Sequence, residues 1–395
     1  MVRVGHIADI HLTEGARGKA TVDCLQFVAR DGAEQGVQLW IVAGDLSGTT
    51  VPHSSTDWER EQLDIWFQSL ARQAPVVILW GNHDKAEDIK GYGRLDPMAG
   101  KAPAAGEGSH QIIACVSPDL VACGQAQLAL MPYPHPQVVN VCGFSAGESV
   151  REKMEGDGTL IRAKLQRWAE WIKEKGDPGL PTILAAHINI AGSETFGDEI
   201  LGGKEIELFE TDLDAFPADY IALGHIHKHQ QMSAKAYYPG TPAPQNFGEA
   251  GQQFSYIIAD VGAGAQPVVH RRFTPAAALV NVTAKWDGGW QIDHASVADL
   301  QAFAGAEVRV KVQIPEELRE AVPWTHLEEA VMKLGAASVR LDKRVVPTKR
   351  VRSSEIGSAH TTAQKLEAYW NTMTPAPSRE LRDNMLAKLA ELEQG

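Results

Sequence analysis

Five short motifs in this chain offer oxygen and imidazole groups at spacings that suit divalent-ion chemistry. Asp9-Ile10-His11 follows the apolar run from Val2 to Ala8. Gly44-Asp45 follows Val37 to Ala43, and Gly81-Asn82-His83-Asp84 follows Pro75 to Leu79. His187 closes the run from Pro181 to Ala186, and Gly224-His225-Ile226-His227 follows Tyr220 to Leu223. Each motif alone also fits an ordinary polar turn, since Asn, Asp and Gly are common turn residues; together, all at strand ends, they are hard to read as turns. A donor set of carboxylate, amide and imidazole without thiolate suits Mn, Fe or Zn. With His83 set aside, Asp9, His11, Asp45, Asn82, His187, His225 and His227 are too many ligands for one ion and fit two with one carboxylate shared. Asp45, alone at the end of a central strand, is the expected bridge. Two ions roughly 3.5–4 Å apart can clamp a phosphate, activate a water and stabilise an in-line displacement.

The elements that must position these groups follow from the apolar patterning. The strands ending in Asp9, Asp45 and Asn82 alternate with helices: one over residues 20–35, and one with Leu63, Trp66, Phe67 and Leu70 at i, i+3, i+4 and i+7. A β-α-β-α-β order predicts a mostly parallel sheet with helices on its faces. In such sheets a ligand site lies at the carboxyl ends of the strands, where all the motifs sit. The Leu63 to Leu70 face is either core or a dimer face, and the core reading is preferred. Residues 85–110 read as a surface loop, 135–158 as irregular, 159–175 as an amphipathic helix, and 254–260 with 267–273 as a closing hairpin.

Three segments are expected: 1–274 carrying the motifs, 275–352 as a small α+β domain, and 353–395 as a helical tail. The tail shows two amphipathic patterns, Leu366, Tyr369, Trp370 and Met373, then Leu381, Met385, Leu389 and Leu392. With 37 Lys and Arg against 50 Asp and Glu, the formal net charge is −13. Proteins that bind nucleic acid through broad electrostatics are usually basic, so such contact here must be local. The one basic cluster is Arg340, Lys343, Arg344, Lys349, Arg350 and Arg352. No apolar run reaches the roughly 18 residues of a membrane helix, and the N-terminus has no signal-peptide h-region. Cys24, Cys115, Cys123 and Cys142 show no C-x-x-C spacing, so neither a zinc site nor a disulfide framework is indicated. A cytoplasmic location without membrane attachment is expected.

The five motifs, in this order, resemble the calcineurin-like metallophosphoesterase superfamily over roughly residues 1–270. A narrower likeness rests on His225-Ile226-His227-Lys228, Tyr238-Pro239-Gly240-Thr241-Pro242 and Asn246-Phe247-Gly248-Glu249, which resemble the SbcD-type subfamily of double-strand-break repair nucleases. The resemblance implies an α/β (α+β) metallophosphoesterase fold with central mixed and parallel sheets flanked by helices, a small capping domain that positions DNA, and a tail that grips an SbcC-like coiled-coil ATPase. It implies a metal-dependent nuclease, cleaving duplex ends and single strands, with two divalent ions, Mn²⁺ foremost and Fe or Zn possible, and a homodimer. Carried over by position, Asp9, His11, Asp45 and His227 would hold one ion, and Asp45, Asn82, His187 and His225 the other. His83 would face the scissile phosphate and protonate the leaving oxygen or stabilise its charge, with Asp84 hydrogen-bonded to His83, fixing its tautomer and raising its pKa. Where relatives place a phosphate-contacting histidine soon after Gly-Asp, this chain has Leu46, Ser47 and Gly48, and the nearest candidate is His53. The alternative is a phosphatase or phosphodiesterase for a small phosphoester. The 120 or so residues beyond the motifs argue against it, and the intact motif set argues against a non-catalytic scaffold.

Overall fold

The computed structural model describes residues 1–48, 54–95, 110–135, 150–196, 206–286, 288–293, 303–318, 322–346 and 358–394. The chain divides into two compact units. One comprises Met1–Val282, His294–Arg309 and Ala330–Arg340, the other Thr283–Asp293, Val310–Glu329 and Leu341–Gly395.

The first unit opens with β1 (Val2–Ile7), α1 (Ala16–Gln35), β2 (Leu39–Val42), α2 (Asp57–Ala71), β3 (Val76–Leu79), α3 (Ala86–Tyr92) and β4 (Ile112–Cys115). It continues with β5 (Asp119–Cys123), β6 (Ala126–Met131), α4 (Val150–Lys175), β7 (Thr182–His187), β8 (Asn189–Ile190), β9 (Glu207–Leu208), α5 (Glu210–Ala215) and β10 (Tyr220–Gly224). Then come β11 (Gln230–Gln231), β12 (Ala236–Tyr238), β13 (Ser255–Val261) and β14 (Val268–Phe273). Two six-stranded sheets result, ordered β14-β13-β1-β2-β3-β4 and β11-β12-β10-β7-β6-β5. In the first, β1 to β4 are parallel and the closing hairpin β13–β14 adds antiparallel to β1. In the second, β6, β7, β10 and β12 are parallel.

Strand alternation explains the layering. Leu39, Ile41, Val77 and Leu79 point inward and meet Leu128, Leu130, Ile183, Ala185 and Ala222 of the second sheet in one core. Trp40, Val42, Val76 and Ile78 point outward onto α1 and α2 through Leu25, Val28, Leu63, Trp66, Phe67 and Leu70. The Leu63 to Leu70 face is therefore core. Ile161, Leu165 and Trp168 of α4 cover the outer face of the second sheet. Strands buried on both faces read as continuous apolar runs, which is why the motif strands are visible in the sequence. The fully buried Trp40 ring lies against Gly5 and Gly32, where any Cβ would collide with it.

Two expectations need correction. The segment 85–110, expected as a loop, contains α3, anchored by buried Ile89 and Tyr92 three residues apart and by Asp88, which accepts from Arg60 and from the Ser55 N–H. Helix α4 begins at Val150, inside the stretch expected to be irregular, and runs through Gly156 and Gly158, whose low helix propensity hid it.

Strands β15 (Leu279–Trp286), β16 (Trp290–Asp293), β17 (Glu307–Pro315) and β18 (Ser338–Val346) form a four-stranded sheet ordered β16-β15-β17-β18, and α6 (Trp324–Lys333) lies between β17 and β18 in sequence. In the second unit, Trp290 meets both Trp286 and Trp324, and its Nε1 donates to the Pro323 carbonyl at 3.0 Å. The tail forms α7 (Thr362–Trp370), started by a Thr361–Gln364 capping box, and α8 (Arg379–Gln394). Trp370 is buried, whereas Tyr369, Met373, Leu381, Met385 and Leu392 are exposed.

An ion pair between buried Asp31 and partly exposed Arg272 ties α1 to the closing hairpin. Asp31 accepts from Arg272 at 2.5 and 2.9 Å and from the Tyr256 hydroxyl at 2.6 Å. Burial pushes this carboxyl up, but the hydrogen bonds from Arg272 and Tyr256 and the Arg272 charge outweigh burial and hold it below its ordinary value. A carboxyl depressed in the folded state stabilises the fold above its unfolded pKa, and that contribution fades as pH falls through the folded value. Asp31→Ala is expected to cost about 1–3 kcal/mol in urea unfolding at neutral pH, the deficit shrinking as pH falls below about 4. Unfolding curves that coincide at neutral pH would contradict the assignment.

Candidate metal centre

The carboxyl ends of β1, β2, β3, β7 and β10 deliver the motif residues to one place. Among the described residues, three groups each bring their potential ligand atoms within 4.8 Å of one another: Asp9, His11 and His227; His11, Asp45 and His83; and Asp45, His187 and His225. Asp45 Oδ2 lies 3.6 Å from His11 Nε2, 3.5 Å from His187 Nε2 and 4.0 Å from His83 Nε2. Asn82 Oδ1 joins the third group, 3.0 Å from His187 Nε2 and 3.1 Å from His225 Nδ1.

The backbone is strained where these groups sit. Among the described residues the non-glycine positive φ angles belong to Asp9 (55°), His11 (46°), Asp45 (55°) and His225 (104°), all members of the candidate set. Such conformations cost about 1–3 kcal/mol each and persist only where the surroundings over-determine them. Here the loops after β1 and β2 run side by side, with Asp9, His11 and Leu12 N–H donating to the carbonyls of Gly44, Asp45 and Leu46 at 2.9–3.0 Å. Both Asp9 oxygens accept from the His225 N–H, at 2.9 and 3.1 Å. At Gly81 a Cβ would strike Asp45, and at Gly44, φ 90°, it would strike His187.

Ring hydrogen bonds decide which nitrogens face the centre. His11 Nδ1 donates to Gly48 O and His187 Nδ1 to Ala43 O, both at 2.6 Å, and His227 Nδ1 donates to Glu249 Oε1 at 2.8 Å. Each hydrogen is thereby placed on Nδ1, and Nε2 is left for the centre. His11 Nε2 and His227 Nε2 then face each other at 3.0 Å, two lone pairs directed at one space, a condition that a cation relieves. Burial pushes His11 down to about 3, the neutral form in which imidazole ligates. For His187, burial acts downward, but Asp45 and behind it Asp9 push the ring up to about 9. The proton favoured there does part of what a divalent ion would do. The donor set therefore fits divalent ions.

Asp84 departs from expectation. An ionised carboxylate offers about four acceptor sites, and Asp84 fills them with backbone N–H groups. Those of Asp45 and Gly81 reach Oδ2 at 3.0 and 3.1 Å, and those of Leu46 and Ser47 reach Oδ1 at 2.9 and 3.3 Å. Burial and the Asp45 charge push this carboxyl up to about 7 against those donors. Asp84 thus braces the loop that carries Asp45 rather than orienting the His83 ring. His83 is held instead by its own N–H, which donates to Asp45 Oδ1 at 2.9 Å, and by edge-to-face packing on His11 at 4.6 Å. Its side chain is 19% exposed, as is that of His227, against 2% for His11 and Asp45.

Two further groups escape motif reading. Glu249 is buried behind His227, and His135 stacks on Trp80 at 3.7 Å while its Nε2 meets Gly81 O at 2.9 Å. Glu249 lies in the Asn246–Glu249 segment, but only the folded chain brings it to His227. Of the basic cluster, Arg340, Lys343 and Arg344 are exposed on β18, with Lys343 Nζ 4.4 Å above the Trp324 ring. Lys349, Arg350, Arg352 and His53 lie outside the described residues.

Residues 2–229 match the family model described as calcineurin-like phosphoesterase. Among curated proteins, the SbcD component of nuclease SbcCD from Escherichia coli (strain K12) is 27% identical over 265 residues, and its counterpart from Escherichia coli O157:H7 matches equally. The match covers 64% of this chain and spans 63% of the length of those relatives. Among solved structures, a dimetal phosphatase from Danio rerio aligns over 69% of this chain and 96% of its own, at 12% identity and a TM-score of 0.38. No helix among the described residues is long and apolar enough to cross a membrane.

The division of labour between neighbours in the Asn82–Asp84 loop is measurable by chemical denaturation. Asp84→Ala would orphan four buried N–H groups and is expected to cost at least about 2 kcal/mol. His83→Ala should stay within about 0.5–1 kcal/mol of the parent. Equal stabilities would contradict the bracing role.

Proposed function

Because the chain belongs to the calcineurin-like phosphoesterase family, whose members are metal-dependent hydrolases, we propose that it is a two-metal nuclease, the DNA-cleaving partner of an SbcC-like coiled-coil ATPase. The observation that carries this reading is the placement of Asp45 Oδ2 between the two proposed ligand sets, 3.6 Å from His11 Nε2 and 3.5 Å from His187 Nε2. Asp9, His11, Asp45 and His227 would hold one ion, and Asp45, Asn82, His187 and His225 the other. The resemblance to the SbcD-type nucleases favours Mn²⁺, and the mixed oxygen and imidazole donor set also suits Fe or Zn. When bound, the ions supply Lewis acidity, charge neutralisation and an activated water for in-line attack at a phosphodiester.

The chain's own residues do the rest. His83, partly exposed beside Asp45, delivers a proton to the leaving oxygen. Asp84 and Gly81 hold the backbone from which His83 and Asn82 project. The likeness to the SbcD component of the SbcCD nuclease supports a nucleic-acid substrate and an ATPase partner, and the exposed Leu381, Met385 and Leu392 of α8 support a docking role for the tail. Segment 275–352 is proposed to position DNA, with Arg340, Lys343 and Arg344 meeting phosphates, contacts that carry no sequence information. A homodimer and a cytoplasmic location complete the reading.

End-labelled linear duplex and single-stranded DNA, incubated with Mn²⁺, Mg²⁺ or a chelator, test it. Cleavage is expected with Mn²⁺ and none with chelator. His83→Ala should lower turnover by about 10²–10⁴-fold while its metal content stays at the parent level. Equal loss of metal and activity would contradict the proton-donor role. Hydrolysis of a chromogenic phosphodiester without DNA cleavage, even with the ATPase added, would favour a small phosphoester substrate.

A further inference from the structure

Glu249 has a geometry that neither the motifs nor the proposed mechanism uses. It is 2% exposed, its Oε1 takes the His227 Nδ1 hydrogen at 2.8 Å, and its Oε2 accepts from the Gln245 N–H at 2.7 Å. The rings of His11 and His187, by contrast, lean through Nδ1 on backbone carbonyls. A carboxylate behind a ligating imidazole fixes the ring and raises its basicity more than a carbonyl does. The turn that carries Glu249 is itself held. Gln245 Nε2 donates to the carbonyl of Ile10, between Asp9 and His11, at 2.9 Å, and the Gln245 carbonyl accepts from Arg17 at 2.5 Å. The Phe247 ring lies under two guanidinium groups, those of Arg17 at 5.3 Å and Arg309 at 5.1 Å, and its carbonyl accepts from Asn281, which in turn accepts from Arg309. One turn therefore touches the backbone between Asp9 and His11 and the ring of His227, three members of a single ligand group.

We infer that Glu249 is the positioning residue of the Asp9–His11–His227 ion and that the Gln245–Glu249 turn sets the affinity of this site independently of the Asp45–Asn82–His187–His225 site. The inference rests on the two-ion reading and adds an inequality between the sites. The first has two carboxylates in reach and a third behind its histidine. The second has one carboxylate and a neutral amide. The first site should fill at lower metal concentration and release its ion last.

Calorimetric titration of the metal-free full chain with Mn²⁺ tests this without any turnover assay. The parent should bind two ions in two resolved steps. Glu249→Gln keeps the shape and removes the charge, and is expected to weaken the tighter step by about 10–100-fold while leaving the other unchanged. Phe247→Ala, which alters no ligand and leaves Glu249 in place, should weaken the same step by a smaller factor. In a His227→Ala background, Glu249→Gln should change neither step, because the ring through which it acts is gone. An unchanged Glu249→Gln titration, equal weakening of both steps, or a loss that persists undiminished in the His227→Ala background would overturn the inference while leaving the two-ion reading intact. A parent chain that takes up no ion would overturn both.

Discussion

Everything in the first unit converges on one requirement, that the Asp45 carboxylate stand buried among imidazoles that approach it from separate strands. Its Oδ2 lies 3.5–4.0 Å from ring nitrogens of His11, His187 and His83, at 2% side-chain exposure. Such a charge is tolerable only if opposite charge is shared with it, and no single proton can serve both ligand groups at once. The strained φ angles of Asp9, His11, Asp45 and His225, the four N–H groups on Asp84 and the bare Cα atoms of Gly44 and Gly81 all hold donors at distances that the backbone would not choose unaided. The sheets provide the stiffness, because β1, β2 and β3 are parallel neighbours in one sheet and β7 and β10 in the other, all buried on both faces.

This arrangement was legible in the sequence to the extent that burial imposes a pattern. The motif strands are continuous apolar runs because both of their faces are covered, and polar residues at their carboxyl ends stand out for the same reason. The parallel strand order and the core role of Leu63 to Leu70 followed from that, and the metallophosphoesterase fold followed from the family resemblance that the motifs carry. Groups whose work depends on long-range packing were not legible. Glu249 belongs to the Asn246–Glu249 motif, but nothing in that motif shows that its carboxylate meets His227, 22 residues away in the chain. Asp84 follows His83 directly, which suggests a side-chain pair, yet after the bend at Asn82 and His83 its carboxylate meets backbone amides. Helix α3 was hidden because its two anchors, Ile89 and Tyr92, are outnumbered by polar and small neighbours. The basic residues of β18 form a run in sequence, but strand alternation separates Lys343, laid over Trp324, from Arg340 and Arg344.

The division between site and specificity follows. The strand ends bring together groups that could hold divalent ions, an arrangement that would serve many phosphoester substrates. What selects among substrates must lie in the surfaces around it, which is why the family alone leaves the choice between nucleic acid and small phosphoester to experiment. The residues beyond the motif-bearing segment carry a tryptophan cluster and the exposed tail residues Leu381, Met385 and Leu392.

The central claim is that Asp45 joins two adjacent ions. Electron paramagnetic resonance of the Mn²⁺-loaded chain measures it directly, since ions roughly 3.5–4 Å apart and bridged by a carboxylate couple magnetically. A carboxylate bridge predicts an exchange-coupled spectrum at two equivalents of Mn²⁺ that collapses to that of isolated ions in Asp45→Asn. A parent spectrum that is simply the sum of isolated ions at every loading would contradict it.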